Sequence, residues 1–256
     1  MSADRIEPPE DLLQCPEAEV YKHDRRSRVW RVADKSAGAV AAATGGSVTT
    51  SGGGGGWVVK RFEHNLKRQR LARAVGQHPA QREVKWNQRL RTAELPVVAI
   101  AASGVDGTGR SWLATRHVGV SLYNWLRQSD PDDPATRRHR RALTRQLGAI
   151  VGRLLVNKVV HGDLKASNLL VDADGRLRMI DVGACRGGKG TPLLGQALPM
   201  LKTLLANLRD AASYHPKPDA GAVSRAERMR FFRALRATWP TPPDGLQYLL
   251  RHPELR

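Results

Sequence analysis

His161-Gly162-Asp163-Leu164-Lys165-Ala166-Ser167-Asn168 is the most informative run of residues in this chain, and Asp181-Val182-Gly183 follows it. Between the two runs, two short apolar segments flank the polar turn Asp172-Ala-Asp-Gly175, which predicts a β-hairpin. Because the two outer ends of a hairpin lie side by side, Asn168 and Asp181 are expected to meet at one end of two short strands.

These residues suit the transfer of a phosphoryl group. The reaction asks little covalent chemistry of the protein: it needs a carboxylate that orients the acceptor hydroxyl, and magnesium ions that screen the phosphate charge. Asp163 is the candidate for the carboxylate. Asn168 and Asp181 are hard oxygen ligands of the kind that Mg²⁺ takes beside substrate phosphates. Lys165 either contacts the γ-phosphate or is simply solvated. We therefore predict a phosphotransferase that uses ATP and Mg²⁺. A plainer interpretation makes His161-Gly-Asp163 a turn, Asn168 a helix cap and Asp181 a carboxylate at the end of a strand. That interpretation requires several motif residues to occur at the right spacing by chance.

The spacing resembles the catalytic loop His-x-Asp-x4-Asn and the metal motif Asp-x-Gly of the protein-kinase-like superfamily. The resemblance implies a bilobal α+β fold, with a small antiparallel-sheet N-terminal lobe, a mostly helical and shortened C-terminal lobe, and ATP in the cleft between them. It also implies a strand lysine on the α- and β-phosphates that is ion-paired to a helix glutamate. Lys60, in the strand from Trp57 to Phe62, and Glu83, in the helix that begins at Pro79, match these two positions.

The lobes are predicted to span residues 1–117, with a flexible insert at 33–56, and residues 118–256. The insert ends in the run Gly52 to Gly56. A phosphate-covering turn, however, has to join the first two strands, ahead of the strand that carries the lysine. The predicted phosphate contacts in that turn are Arg26, Ser27 and Arg28. The glycine run is therefore interpreted as part of a linker.

Apolar residues at helical spacing predict the main helices of the second half at about 135–157 and 199–211. A third helix is expected to begin at Ser224, which forms a capping-box pattern with Glu227. This helix is predicted to bury Met229, Phe232, Leu235 and Trp239.

Three departures separate the chain from ordinary protein kinases. Gly162 replaces the arginine that precedes their catalytic aspartate. Only about sixteen residues separate Gly183 from the next predicted helix, without an Ala-Pro-Glu motif. A Gly-x-Gly-x-x-Gly turn is also missing. A platform for a peptide substrate is therefore hard to find in this sequence.

The flanking residues resemble the lipopolysaccharide kinase family, the Kdo/WaaP-type sugar kinases of the bacterial envelope. The pieces that carry this resemblance lie along most of the chain: 29–32, 59–62, 82–87, 121–122, the catalytic loop, 180–184, 207–209 and 224–234. The resemblance implies phosphorylation of a sugar hydroxyl in an inner-core glycolipid, on the cytoplasmic face of the membrane.

The composition agrees with an anionic partner. The chain carries 42 Lys and Arg against 24 Asp and Glu, a net charge of +18, which attracts acidic lipids, polyphosphates or nucleic acid. No nucleic-acid module or stripe of stacking aromatic residues is recognised, so nucleic acid is not expected. The densest basic groups are Arg25 to Arg28, Lys67 to Arg73 (in a predicted helix at about 65–75) and Arg137 to Arg141, and they predict a peripheral contact with an anionic membrane. The third group fits the solvated face of a long helix at least as well. Two distant cysteines and the lack of an apolar leader favour a cytoplasmic location.

Two other functions stay open at this stage. An atypical serine/threonine protein kinase or an aminoglycoside- or choline-type small-molecule kinase also uses a His-Gly-Asp-Leu loop. A non-catalytic kinase-like binding module is the other alternative. It is disfavoured because the lysine, the base and both metal ligands are all present.

Overall fold

The computed structural model describes residues 19–23, 27–33, 55–63, 78–187, 194–213 and 223–239. The chain forms two compact units, the first within Met1–Arg89 and Val98–Gly119 and the second within Leu90–Val97 and Val120–Arg256. The short segment Leu90–Val97 thus belongs to the second unit, although the chain on both sides of it belongs to the first. The predicted lobe boundary between residues 117 and 118 stays a prediction.

The first unit is built on a five-stranded antiparallel sheet with the strand order β1-β2-β3-β5-β4. Its strands are β1 (Glu19–His23), β2 (Ser27–Ala33), β3 (Gly56–Phe62), β4 (Ile100–Val105) and β5 (Ser111–Arg116). One helix, α1 (Pro79–Thr92), accompanies the sheet and starts at a proline, whose fixed φ suits the first helical position.

Alternation along β3 assigns its residues to two faces. Trp57 and Val59 are fully buried and pack in a cluster that includes Trp30. Residues of the other parity face the opposite way, where Phe62 packs against Ala80 of α1. Lys60 has the same parity as Phe62, so the sheet presents Lys60 on the face that α1 covers.

The second unit is mostly helical. Its helices are α2 (Leu122–Gln128), α3 (Pro134–Val156), α4 (Leu194–Ser213) and α5 (Arg225–Thr238). The predicted capping box is present at the start of α5, where Ser224 and Glu227 bond each other's backbone. Its strands are β6 (Gly119–Ser121), β8 (Leu169–Asp172) and β9 (Leu177–Met179), which form one small sheet, and β7 (Val159–His161) and β10 (Cys185–Gly187), which form another. The predicted α+β fold of the bilobal protein-kinase type is confirmed.

Helices α3 and α5 run in the same direction and pack closely. Along the pair, Gly148 lies against the backbone of Phe231, and Gly152 lies against Leu235 and Thr238. A Cβ atom at either glycine would collide with the α5 backbone or a side chain, so both positions require glycine.

Three details differ from the sequence predictions. Helix α4 begins at Leu194 rather than at Pro199, which lies inside it. Buried Ala197 extends the apolar stripe of the helix by one turn. The packing of this turn outweighs the loss of the backbone hydrogen bond that Pro199 cannot donate. Met229 is 47 % exposed rather than buried, because it lies on the outer face of α5. The sequence also predicts a strand near Val97 to Ala101, but β4 starts at Ile100, and Val97 instead bridges Met179 in the second unit. The predicted helix at 65–75 lies outside the described residues.

Among the described residues, no helix is both long enough and apolar enough to cross a membrane. Helices α2, α3, α4 and α5 enclose an apolar cavity of about 100 Å³. None of the predicted site residues lines it.

Candidate active site

The β8–β9 hairpin brings two predicted metal ligands together. Leu169 pairs with Met179 across the hairpin, and the Ile180 amide donates to the Asn168 carbonyl at 3.0 Å. Asn168 therefore precedes one strand and Asp181 follows the other at the same end of the hairpin. This is the arrangement that the sequence predicted.

Asp163 lies beside Asn168. The Asn168 side-chain amide donates to the Asp163 carbonyl at 2.9 Å and to its Oδ2 at 3.3 Å. Lys165 Nζ lies 2.8 Å from the same Oδ2. The Asp163 side chain is 42 % exposed, so an acceptor hydroxyl can reach it. Because the Asn168 nitrogen is occupied, its Oδ1 is the atom left to face a cation.

Asp181 has a left-handed backbone, with φ 56° and ψ 45°. This region is unfavourable for most residues, although Asp and Asn adopt it more readily than others. Strained residues of this kind persist where the surroundings hold them, and they concentrate at functional sites.

The donor set fits Mg²⁺ held together with substrate phosphates. Asn168 and Asp181 supply one amide oxygen and one carboxylate, and Mg²⁺ is commonly bound by one or two carboxylates plus phosphates rather than by a protein cage. Consistently, the described part of the chain holds no cluster of three His, Cys, Asp or Glu residues.

The segment after Asp181 is hydrogen-bonded to the catalytic loop and to the strand before it. Strand β10 pairs with β7, so that Cys185 lies opposite His161. The Gly162 amide donates to the Ala184 carbonyl at 3.1 Å, and a Cβ at Gly162 would lie 2.9 Å from that oxygen. The backbone thus has no room for the arginine that ordinary protein kinases have at this position.

A second group of predicted residues meets in the first unit. Lys60 Nζ lies 2.9 Å from Glu83 Oε2, across 23 residues of sequence. Lys60 Nζ also lies over the ring of Phe62, 4.9 Å from its centroid. The Glu83 side chain is only 6 % exposed, so the ion pair with Lys60 lies largely out of solvent on the carboxylate side.

Comparison with known protein families matches residues 25–188 to the lipopolysaccharide kinase (Kdo/WaaP) family. The chain belongs to this family. No match was found among curated individual proteins. The matched region contains Lys60, Glu83, the catalytic loop and Asp181, and it supports the assignment of the protein as a lipopolysaccharide kinase, a phosphotransferase.

In this Kdo/WaaP kinase the predicted phosphate-covering turn is only partly described. Arg26 lies outside the described residues. Ser27 is buried and lies opposite Phe62, on the Lys60 face of the sheet, whereas Arg28 lies opposite Arg61 and faces the other way. The Arg28 guanidinium stacks on Trp30 at 5.7 Å. The geometry therefore favours Ser27 over Arg28 as a phosphate contact, and the roles of all three residues stay predictions.

Gly56, the last residue of the glycine run, begins β3, at the opposite end of the strand from Phe62, which pairs with Ser27. Gly56 pairs with Ala33, whereas Lys60 pairs with Val29. Four residues of strand separate Gly56 from Lys60, about 13 Å at 3.3 Å per residue. Gly52 to Gly54 lie outside the described residues.

His161 is fully buried below the catalytic loop. Its Nδ1 accepts a hydrogen bond from the Asp163 amide at 3.2 Å, which requires an unprotonated nitrogen at that position. Burial lowers the pKa of His161 below its ordinary value of 6.5, although the carboxylates of Asp181 and Asp163 act in the opposite direction. The ring is therefore neutral in the folded kinase near pH 7, and it supports the loop rather than binding metal.

We expect this histidine to make the kinase less stable in mild acid. Below about pH 6.5 the unfolded chain takes up a proton at this histidine, while the folded chain resists protonation until the lower folded pKa is reached. The free energy of unfolding should therefore fall as the pH drops through this window. Urea denaturation of the protein and of His161→Gln between pH 7.5 and 5.5 measures the slope, which should be smaller in the variant.

This prediction is decided by the slope of the free energy of unfolding against pH, rather than by the free energy of unfolding at any one pH. His117 also has a pKa lowered by burial, so some pH dependence should remain in the variant. An identical slope in the two proteins would show that His161 does not resist protonation in the folded state.

Gln146 of α3 is a site residue that sequence reasoning missed. Its Nε2 donates to the Gly175 carbonyl at 3.1 Å, and its Oε1 accepts from the Leu177 amide at 2.8 Å. Both bonds fix the turn of the hairpin whose other end carries Asn168 and Asp181. The signal in the sequence was a polar amide residue between Leu143 and Leu147, both of which belong to the apolar stripe of α3.

Gln146→Leu should therefore loosen the metal-ligand hairpin. Loss of these two part-buried hydrogen bonds leaves the Leu177 amide without its side-chain acceptor, at about 1–3 kcal/mol of stability, whereas the Gly175 carbonyl keeps His139 Nε2 at 3.3 Å. We expect a higher Mg²⁺ concentration for half-maximal activity in addition to a lower melting temperature. Gln146→Glu, which keeps the acceptor for Leu177, should be affected less. A lower melting temperature with an unchanged Mg²⁺ requirement would mean that Gln146 is only structural.

Proposed function

We propose that this kinase transfers the γ-phosphate of ATP, in a Mg²⁺-dependent reaction, to a sugar hydroxyl of a lipopolysaccharide-type inner-core glycolipid. The observation that carries the proposal is the grouping of Asp163, Asn168 and Asp181 at one end of a hairpin, within a chain that belongs to the lipopolysaccharide kinase family.

Asp163 is proposed as the base that accepts the proton of the acceptor hydroxyl. It is exposed enough to meet a substrate, and Asn168 and Lys165 hold its carboxylate in place. Because Lys165 lies beside Asp163, a γ-phosphate bound next to the Asp163 carboxylate would also contact the ammonium group of Lys165. In this role Lys165 stabilises the negative charge that develops on the transferred group.

Asn168 and Asp181 would hold Mg²⁺. The bound ion would screen the negative charge of the phosphates. The hairpin places the backbones of both residues at the same end of β8 and β9, and Asp181 has a left-handed backbone there. Preorganised ligands of this kind spend little free energy on rearrangement during the reaction.

Lys60 is proposed to bind the α- and β-phosphates of ATP. The buried carboxylate of Glu83 holds the Lys60 side chain on the α1 face of the sheet. Ser27, on the same face and one strand away, is proposed as a further contact to the nucleotide.

The acceptor of this proposal is an anionic lipid, so the enzyme has to work at a membrane surface. We therefore place it in the cytoplasm, in peripheral contact with the inner membrane. The basic stretch from Lys67 to Arg73, which predicted such a contact, lies outside the described residues.

Cells with and without the gene provide the test in vivo. The glycolipids of both strains are extracted and compared by mass spectrometry, and the deletion strain should lack one phosphate on the inner-core sugars. Re-introducing the wild-type gene should restore that phosphate, whereas the Asp163→Asn gene should not. Identical glycolipids in the two strains would contradict the proposed acceptor.

A further inference from the structure

The outer face of helix α5 carries a row of arginines. Arg225, Arg233 and Arg236 are exposed, and they lie with Met229 at spacings of four, four and three residues. Residues at these spacings share one side of a helix. The opposite side of α5 packs on α3 through the buried Leu235 and the backbone of Phe231.

Helix α3, which packs against the inner side of α5, does not contribute to this row. Its exposed Arg141 and Arg145 lie on the side of α3 that carries Gly148 and Gly152, and that side faces α5. Arg140 of α3 binds Glu227 of α5 at 2.6 Å. The row on α5 points away from α3. We call Arg225, Arg233 and Arg236 the arginine surface.

Acidic side chains do not neutralise this surface within the described residues. Helices α3 and α5 contain one acidic residue, Glu227, and both of its oxygens are occupied, Oε1 by Arg140 and Oε2 by Ser224. Within the same described residues, no ion pair joins these three arginines to a carboxylate. Asp130, Asp132 and Asp133 precede α3 rather than lying along it, and Asp219 and Asp244, which flank α5 in sequence, lie outside the described residues.

Helix stability does not explain the whole row. Arg225 is the first residue of α5, where the helix dipole disfavours a cation, whereas Arg236 lies in the last turn, where a cation is favoured. Arg233 and Arg236, three residues apart, are neighbours of like charge on the helix surface. The positions of Arg225 and Arg233 are more easily explained by an anionic partner than by folding.

We infer that the arginine surface binds the headgroups of an anionic lipid bilayer. It is the outward side of a helix rather than a groove, so it suits a planar partner. Arginine forms paired hydrogen bonds with phosphate groups. Met229, 47 % exposed in the middle of the row, offers a flexible apolar side chain for the interface between headgroups and acyl chains. Exposed aromatic rings, on which nucleic-acid bases stack, are absent from this described face.

The choice of a bilayer as the partner rests on the proposed function, since its acceptor is a membrane lipid. Binding to vesicles is therefore measured without ATP or acceptor, so that it succeeds or fails separately from catalysis. The full chain is floated with vesicles of neutral phosphatidylcholine, alone or mixed with anionic phosphatidylglycerol. The variant is Arg225→Gln/Arg233→Gln/Arg236→Gln, because glutamine keeps the helix propensity. The matched control, Lys85→Gln/Arg89→Gln/Arg91→Gln, removes three exposed cations from α1.

The protein should bind the anionic vesicles, bind neutral ones weakly, and lose binding as salt is raised. Each arginine removed from the surface should weaken partitioning about fivefold, so the triple variant should lose on the order of a hundredfold. The control should stay within a few-fold of the wild type, and circular dichroism should show both variants folded. Equal partitioning of variant and control, or equal binding of the wild type to neutral vesicles, would overturn the inference. A variant that loses binding to duplex DNA but keeps vesicle binding would overturn it in favour of nucleic acid.

Discussion

Asp163→Asn should lower the rate of phosphoryl transfer by roughly 10²–10⁴-fold, the usual effect of removing a general base. The affinity for ATP should stay nearly unchanged, because Asp163 acts on the acceptor hydroxyl and does not hold the nucleotide. Asparagine keeps the shape of the side chain, and its Oδ1 can still accept from Asn168. Single-turnover transfer to the isolated glycolipid gives the rate, and calorimetry gives the affinity.

Asp174→Asn is the matched control for this substitution. It removes one carboxylate from the exposed turn of the same hairpin, and its rate should stay close to that of the wild type. Near-full turnover of Asp163→Asn with the true acceptor would show that the base has been wrongly assigned.

Asp181→Asn should remove Mg²⁺-dependent nucleotide binding. The change replaces a charged ligand by a neutral one, while asparagine still tolerates the left-handed backbone that Asp181 adopts. Even partners outside the ligand shell change metal affinity by about 10–100-fold, and loss of the ligand charge should cost at least as much. Calorimetric titration with ATP, in the presence and absence of Mg²⁺, measures the loss.

Asp181→Ala separates charge from backbone strain. Alanine is disfavoured at positive φ, so this variant should also melt at a lower temperature, whereas Asp181→Asn should not lose stability for that reason. If both variants bound ATP with unchanged affinity and unchanged Mg²⁺ dependence, the metal site would have to lie elsewhere.

Much of the candidate site could be predicted because its geometry is local. A hairpin of fixed period places Asn168 beside Asp181, and the run from His161 carries the base five residues before Asn168. The Lys60–Glu83 pair spans 23 residues, and it was reached only through resemblance to a known superfamily.

The remaining features depend on contacts that no local pattern contains. The need for glycine at 162 follows from the Ala184 carbonyl, and the role of Gln146 follows from a hairpin turn 29 residues away. The apolar spacing predicted a helix from about residue 199, but tertiary packing of the preceding turn extended α4 back to Leu194. Met229 was assigned to the core by its apolarity alone, although its side of α5 is the exposed one.

Transfer of phosphate to a glycolipid sugar is measured most directly with the purified protein. Purified protein, MgATP and inner-core glycolipid are incubated together, and the products are analysed by tandem mass spectrometry, with casein as the alternative acceptor. We expect one added phosphate on a sugar fragment of the glycolipid, none with Asp163→Asn, and none on casein. Phosphate on casein with an unmodified glycolipid would contradict this expectation.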